Sequence, residues 1–218
     1  MEKQKPKSTI VVNFKKLNGK EALELAKKLG KADNDLMNEH EIILAVQADD
    51  ALEISRFCRV KVFIQDIYSE EENCFLKYFQ PNFNVHRNVK GVILNHPEKK
   101  LSGHVLETSV NRAKELGMQT LICATSVEEV VEIDKYSPGY ICIENEALIG
   151  RDISFIEECP EIVQLAKMRT KNKILIGAGI RTSRDLDHVM TTGGAGVIVS
   201  SLILKSADPL NALFSLLH

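Results

Sequence analysis

The stretch Tyr140-Ile141-Cys142-Ile143-Glu144-Asn145-Glu146-Ala147-Leu148-Ile149-Gly150 runs from four apolar residues into a carboxylate and then into a loop. A short apolar run of this kind suits a strand of a parallel sheet, buried on both faces. Glu144 then stands at the strand's carboxyl end, where parallel α/β folds place their chemistry. A carboxylate brought there out of an apolar run either does work or destabilises the fold.

Working outward, further apolar runs read as strands at Thr9 to Val12, Glu41 to Val46, Val60 to Ile64, Gly91 to Leu94, Thr120 to Cys123, Ile174 to Ile176 and Gly196 to Val199. Helical periodicity fills most of the gaps, at Glu21 to Leu29, Val105 to Leu116, Ser126 to Ile133, Glu161 to Met168, Ser183 to Met190 and Pro209 to Leu217. Strand followed by helix, with no hairpin signal, favours parallel pairing through right-handed crossovers. The expected fold class is α/β, a (β/α)8 barrel formed by residues 1–218 as a single domain. An open doubly wound sheet is the competing architecture, but no Gly-x-Gly-x-x-Gly follows the first strand; Asn13-Phe14-Lys15-Lys16 stands there instead. Between Asp66 and Lys90 the sequence reads as loop around a poor helix, a length that suits a functional or interface loop.

Bulk properties narrow the function classes. The 218 residues carry 28 basic and 30 acidic side chains, a net charge of -2, which makes no electrostatic case for nucleic acid or an acidic membrane. The basic cluster of Lys3, Lys5, Lys7, Lys15, Lys16 and Lys20 reads mostly as a solvated terminus. The polar start has no apolar run longer than a strand behind it, so neither a secretory signal nor a membrane span is expected, and the protein is expected in the cytoplasm. Five cysteines without paired spacing, two of them (Cys123 and Cys142) inside apolar runs, suggest reduced thiols and no metal site.

Collected at the carboxyl ends of the candidate strands are Asn13, Lys15, Gln65, Asn95, His96, Glu144, Gly177-Ala178-Gly179 and Ser200-Ser201. A carboxylate such as Glu144, drawn out of water by Ile143 and a closing loop, gains basicity. Pro97 after His96 marks a helix start, and a helix amino terminus favours a neutral imidazole that can donate to a carbonyl. Lys15 offers a fixed cation for a phosphate or an oxyanion. The small residues after the seventh and eighth strands allow backbone N–H groups to approach an anion. Each residue alone also has a plain structural use; the set, in this order, points to one site.

Asn13-Phe14-Lys15, Gly91-Val92-Ile93-Leu94-Asn95-His96-Pro97-Glu98, Ile143-Glu144 with Leu148-Ile149-Gly150, Ile176-Gly177-Ala178-Gly179-Ile180, and Gly196-Val197-Ile198-Val199 with Lys205-Ser206-Ala207-Asp208-Pro209 resemble triosephosphate isomerase in its short archaeal form. The resemblance covers nearly the whole chain. It implies interconversion of dihydroxyacetone phosphate and glyceraldehyde 3-phosphate, a small phosphorylated triose substrate, and neither cofactor nor metal. It implies Glu144 as general base, His96 as neutral electrophile, and Asn13 and Lys15 as the orienting and electrostatic pair. The pairing of base and neutral histidine is the one for which this family is itself the standard example. Gly150, Gly177, Gly179, Ser200 and Ser201 match the phosphate cradle.

The chain also differs from the family pattern. Pro97 replaces a serine that partners the resting base, so Glu144 should rest elsewhere. Asn145 replaces a hinge proline, which should loosen the loop. Arg151-Asp152 replaces Thr-Gly beside the phosphate, and Leu202 brings bulk to the eighth loop. Asn73-Cys74-Phe75-Leu76-Lys77 replaces the Gly-x-x-Thr-Gly of the third loop, so a homo-oligomer would use a non-standard interface, or Phe75, Leu76, Tyr78 and Phe79 would fold onto the barrel. These positions leave two alternatives open: a non-catalytic barrel that binds a phosphate ligand or a protein partner, and an isomerase of a larger sugar phosphate.

Overall fold

The structure is a computed structural model that describes residues 7–30, 38–66, 76, 88–149, 151 and 153–218. Its elements follow in the order β1 (Ser8–Asn13), α1 (Gly19–Leu29), β2 (His40–Val46), α2 (Ala48–Phe57), β3 (Lys61–Gln65), β4 (Val89–Leu94), α3 (Gly103–Glu115), β5 (Gln119–Ala124), α4 (Val127–Asp134), β6 (Tyr140–Ile143), α5 (Phe155–Glu158), α6 (Ile162–Lys167), β7 (Lys173–Ile176), α7 (Ser183–Thr191), β8 (Gly196–Val199), α8 (Ser201–Leu204) and α9 (Pro209–Leu217). All neighbouring strands pair in parallel, and β8 returns to β1 with Thr9 opposite Gly196, closing an eight-stranded barrel. The fold is a (β/α)8 barrel.

Alternation along each strand builds two apolar layers. Ile10 and Val12 of β1, Leu44 of β2 and Ile141 and Ile143 of β6 face the helices, whereas Val11, Ile43, Phe63, Ile93, Leu121, Cys142, Leu175 and Ile198 fill the barrel. Because side chains repeat every second residue, the residue two beyond the last inward apolar one emerges on the same side, at the barrel's mouth. That arithmetic delivers Asn13 after Val11, Gln65 after Phe63, Glu144 after Cys142, Gly177 after Leu175 and Ser200 after Ile198. It fails at β4, where Asn95, at φ +58, bonds to Glu129 of α4 and His96 takes the place at the mouth.

At the other end of the strands the inward residues are polar and tied together. Glu41 accepts from Thr9 Oγ1 (3.0 Å), Tyr140 Oη (2.7 Å) and Lys61 Nζ (2.5 Å). Burial alone would raise the Glu41 pKa, but the bonds from Lys61, Tyr140 and Thr9 and the Lys61 charge outweigh it and bring it down to about 2. The same burial, with the bond to Glu41, pushes the Tyr140 phenol up.

Three local differences from the sequence expectation have plain causes. Helix α2 has only Ala51, Ile54 and Ser55 fully buried, a stripe too narrow to stand out in the sequence. The region after β6 holds two short helices, α5 and α6, where a single one was expected at Glu161 to Met168. Pro97 opens no full helix: residues Pro97–Lys99 form one 3-10 turn. Of the third loop, Leu76 packs against the outer core, while Asn73, Cys74, Phe75, Lys77, Tyr78 and Phe79 lie outside the described residues.

Candidate active site

The carboxyl ends of the strands surround a cavity of about 60 Å³, lined by Asn13, Lys15, His96, Glu144, Gly179, Ser200 and Ser201, with Ile149, Ala178, Ile180, Ile198 and Val199 supplying apolar wall. Gly177 does not line it, and Gly150 lies outside the described residues.

Glu144 continues β6 by donating its N–H to Ala124 O (3.0 Å), and only 5% of the residue is exposed. Its Oε2 lies 3.1 Å from His96 Nε2, yet among the described residues Oε2 makes no aligned hydrogen bond. A buried carboxylate oxygen left in that state is held in place with its lone pairs unspent. Gly177 explains how the side chain fits. A Cβ added there would stand 2.1 Å from Glu144 Oε1, so any larger residue would push the carboxylate away.

His96 is 2% exposed. Its Nδ1 accepts the N–H of Glu98 at 3.2 Å, which leaves the ring's proton on Nε2, beside Glu144 and the cavity but not aligned on the carboxylate. One backbone N–H of a three-residue turn therefore orients the ring, in place of the helix dipole expected from Pro97.

Lys15 sits at φ +52, a left-handed conformation that costs a non-glycine residue roughly 1–2 kcal/mol. Three side chains hold it there: Asn13 Oδ1 accepts its N–H at 2.8 Å, Gln47 Nε2 donates to its carbonyl at 3.0 Å, and Gln65 Nε2 donates to the same oxygen. Among the described residues no carboxylate pairs with the Lys15 ammonium, so the cavity carries a cation without a fixed counter-ion. Gln47 was absent from the sequence reading, although it stands two residues beyond the inward Ala45.

On the opposite wall, Gly179 has φ +77, and an added Cβ would collide with Ile153 O at 1.9 Å. Only glycine permits both the conformation and the approach. Ser200 precedes the short helix α8, whose first N–H groups have no partner within the helix. Leu202 is partly buried against the outer core and does not line the cavity. Asn145 Oδ1 accepts the Ala147 N–H at 3.0 Å, so the loop after β6 begins with a side-chain cap in place of a proline. Arg151 is exposed, and Asp152 lies outside the described residues.

Comparison with known proteins resolves the family. A family model described as triosephosphate isomerase matches residues 8–138. Triosephosphate isomerase of Methanosarcina barkeri is 30% identical, over 96% of this chain and 97% of its own. The chain belongs to the triosephosphate isomerase family. The enzyme of that name from Thermoplasma volcanium is 29% identical over 96% of this chain and 99% of its own. Among solved structures, a mutant tryptophan synthase alpha-subunit from Pyrococcus furiosus superposes with a TM-score of 0.69 at 16% identity, covering 99% of both chains. Thiamine phosphate pyrophosphorylase from the same organism gives 0.63 at 17% identity, covering 98% of this chain and 94% of its own. At that identity the two structures share the barrel with this member of the triosephosphate isomerase family, and nothing more is inferred from them.

Proposed function

We propose that the protein interconverts dihydroxyacetone phosphate and glyceraldehyde 3-phosphate by proton transfer through an enediolate. The observation that carries this reading is the approach of His96 Nε2 to Glu144 Oε2, 3.1 Å apart across one wall of the cavity, in a chain of this family. Glu144 abstracts the proton from the carbon beside the carbonyl and returns it to the neighbouring carbon. His96, with its proton on Nε2, donates to the carbonyl oxygen as negative charge grows there. Both residues line the same cavity, so a substrate bound there meets acid and base together.

Lys15 supplies the fixed positive charge for the enediolate and the phosphate dianion, and Asn13 fixes the backbone from which Lys15 extends. The phosphate is assigned to the wall of Gly179, Ser200 and Ser201. Gly177 serves the base by leaving it room. The reaction shifts protons without net oxidation, and an acid, a base and an electrostatic clamp supply what it requires.

A coupled assay on either triose phosphate tests the proposal. Turnover by the native chain is expected, with kcat reduced by about 10²–10⁴-fold in Glu144→Gln, the range associated with loss of a positioned base. Native activity no greater than that of Glu144→Gln refutes it.

A further inference from the structure

The segment that carries His96 is anchored from outside the cavity. Asn95, the residue before His96, is 5% exposed and has φ +58. Both polar atoms of its amide are engaged: Oδ1 accepts the Leu101 N–H (3.1 Å), and Nδ2 donates to Cys123 O (2.9 Å) and to Glu129 Oε1 (2.8 Å). Glu129, in the first turn of α4, takes a second donor on Oε1, Lys100 Nζ at 2.6 Å. Its Oε2 accepts both the N–H (2.8 Å) and the Oγ1 (2.9 Å) of Thr125. Asn95 and Lys100 bracket the turn Pro97–Lys99, so one carboxylate oxygen holds both ends of the segment that bears the imidazole.

We infer that Glu129, acting through Asn95 and Lys100, is a positioning residue for His96, fixing the direction of the ring against Glu144. The inference rests on the proposed role of His96. The ring's direction depends on the backbone of Asn95, and rotating that backbone breaks three hydrogen bonds at once. Asparagine tolerates the left-handed region better than other non-glycine residues, which explains the residue type at the pivot. A carboxylate is the side chain that can accept four bonds with two oxygens. Its occupancy is consistent with the lowered Glu129 pKa: burial opposes ionisation, and the bonds from Lys100, Thr125 and Asn95 overcome it.

Glu129 has a separable structural duty. Its N–H donates to Ser126 Oγ (3.2 Å), and its Oε2 covers the chain entering α4, so its replacement also weakens the start of that helix. The test therefore compares four variants in the full chain: Glu129→Gln, Asn95→Gly, Lys100→Met and Ser126→Ala. For each, kcat, KM, the thermal midpoint and the ¹⁵N signals of the His96 ring are measured. Asn95→Gly keeps φ +58 accessible while removing the amide. It and Glu129→Gln should lower kcat by about tenfold with KM within about twofold, as expected for a displaced catalytic group. The ring signals should move from a fixed Nε2–H tautomer toward an exchange average. Lys100→Met should do the same more weakly. Ser126→Ala should lower only the thermal midpoint. The inference is overturned if Glu129→Gln and Asn95→Gly keep the native kcat and ring signals, or lose only thermal stability as Ser126→Ala does. If the native chain lacks isomerase activity while the ring signals still respond to Glu129→Gln, the positioning stands and the isomerase reading fails.

Discussion

The two ends of this barrel are built from the same strands and treat polar groups in opposite ways. At the amino ends, Glu41 is surrounded by Thr9, Tyr140 and Lys61, and each of its partners is matched to it. At the carboxyl ends, Glu144 Oε2 and Ser200 Oγ are buried without hydrogen-bond partners among the described residues. Among the described non-glycine residues the left-handed backbone follows the same division: Lys15, Asn95 and Ala178 at the mouth, against Ser137 in a loop at the far end. Satisfied charge in a half-buried layer stabilises a fold, whereas unsatisfied groups gathered beside strained backbone mark a functional surface. The comparison assigns stability to one end and chemistry to the other.

The strongest attempt to break that division is at His96. His96→Gln should lower kcat/KM by about 10²–10³-fold, the loss typical of one oxyanion donor, with the thermal midpoint nearly unchanged. A variant that unfolds early while retaining activity would place stability at the wrong end. Next comes Gly177→Ala, whose methyl would have to displace the Glu144 carboxylate. About 10²-fold in kcat is expected from a displacement near 1 Å, and native turnover would show that the base does not work from this position.

At the amino end the expected effects reverse in kind. Glu41→Gln should cost about 1–3 kcal/mol in denaturant unfolding, since Lys61 loses its charged partner, while kcat per folded molecule stays at the native value. The smallest effect is the pH dependence of the same group. Its pKa is lowered from 4.5 to about 2 in the folded chain, so its stabilisation is complete above 4.5 and disappears as the pH falls through 2. After allowance for solvent screening this is worth roughly 1–2 kcal/mol, visible as a shallower acid loss of stability in Glu41→Gln than in the native chain.

Much of this was legible from residue order. Val11 and Asn13, or Cys142 and Glu144, differ by two positions, and a pleated strand converts that spacing into a shared face, so the mouth residues could be read directly from the apolar runs. His96 was legible only from its place just past β4, because alternation alone would have sent Asn95 to the mouth and the left-handed backbone of Asn95 brings His96 there instead. The third loop offered no such regularity. Helix α2 escaped because its apolar stripe is thin, whereas Gln47 follows Ala45 by the same spacing as the other mouth residues and was within reach of the sequence.

What the sequence by itself determined is therefore the barrel and the ring of polar residues at its mouth, because both follow from local alternation of apolar and polar side chains. Only the tertiary structure decided that Gly177 makes room for Glu144, that Gln47 and Gln65 hold the Lys15 carbonyl, and that Glu129 reaches Asn95. Those contacts join residues about thirty or more positions apart, and they exist only after eight strands have closed and fixed which side chains share a volume.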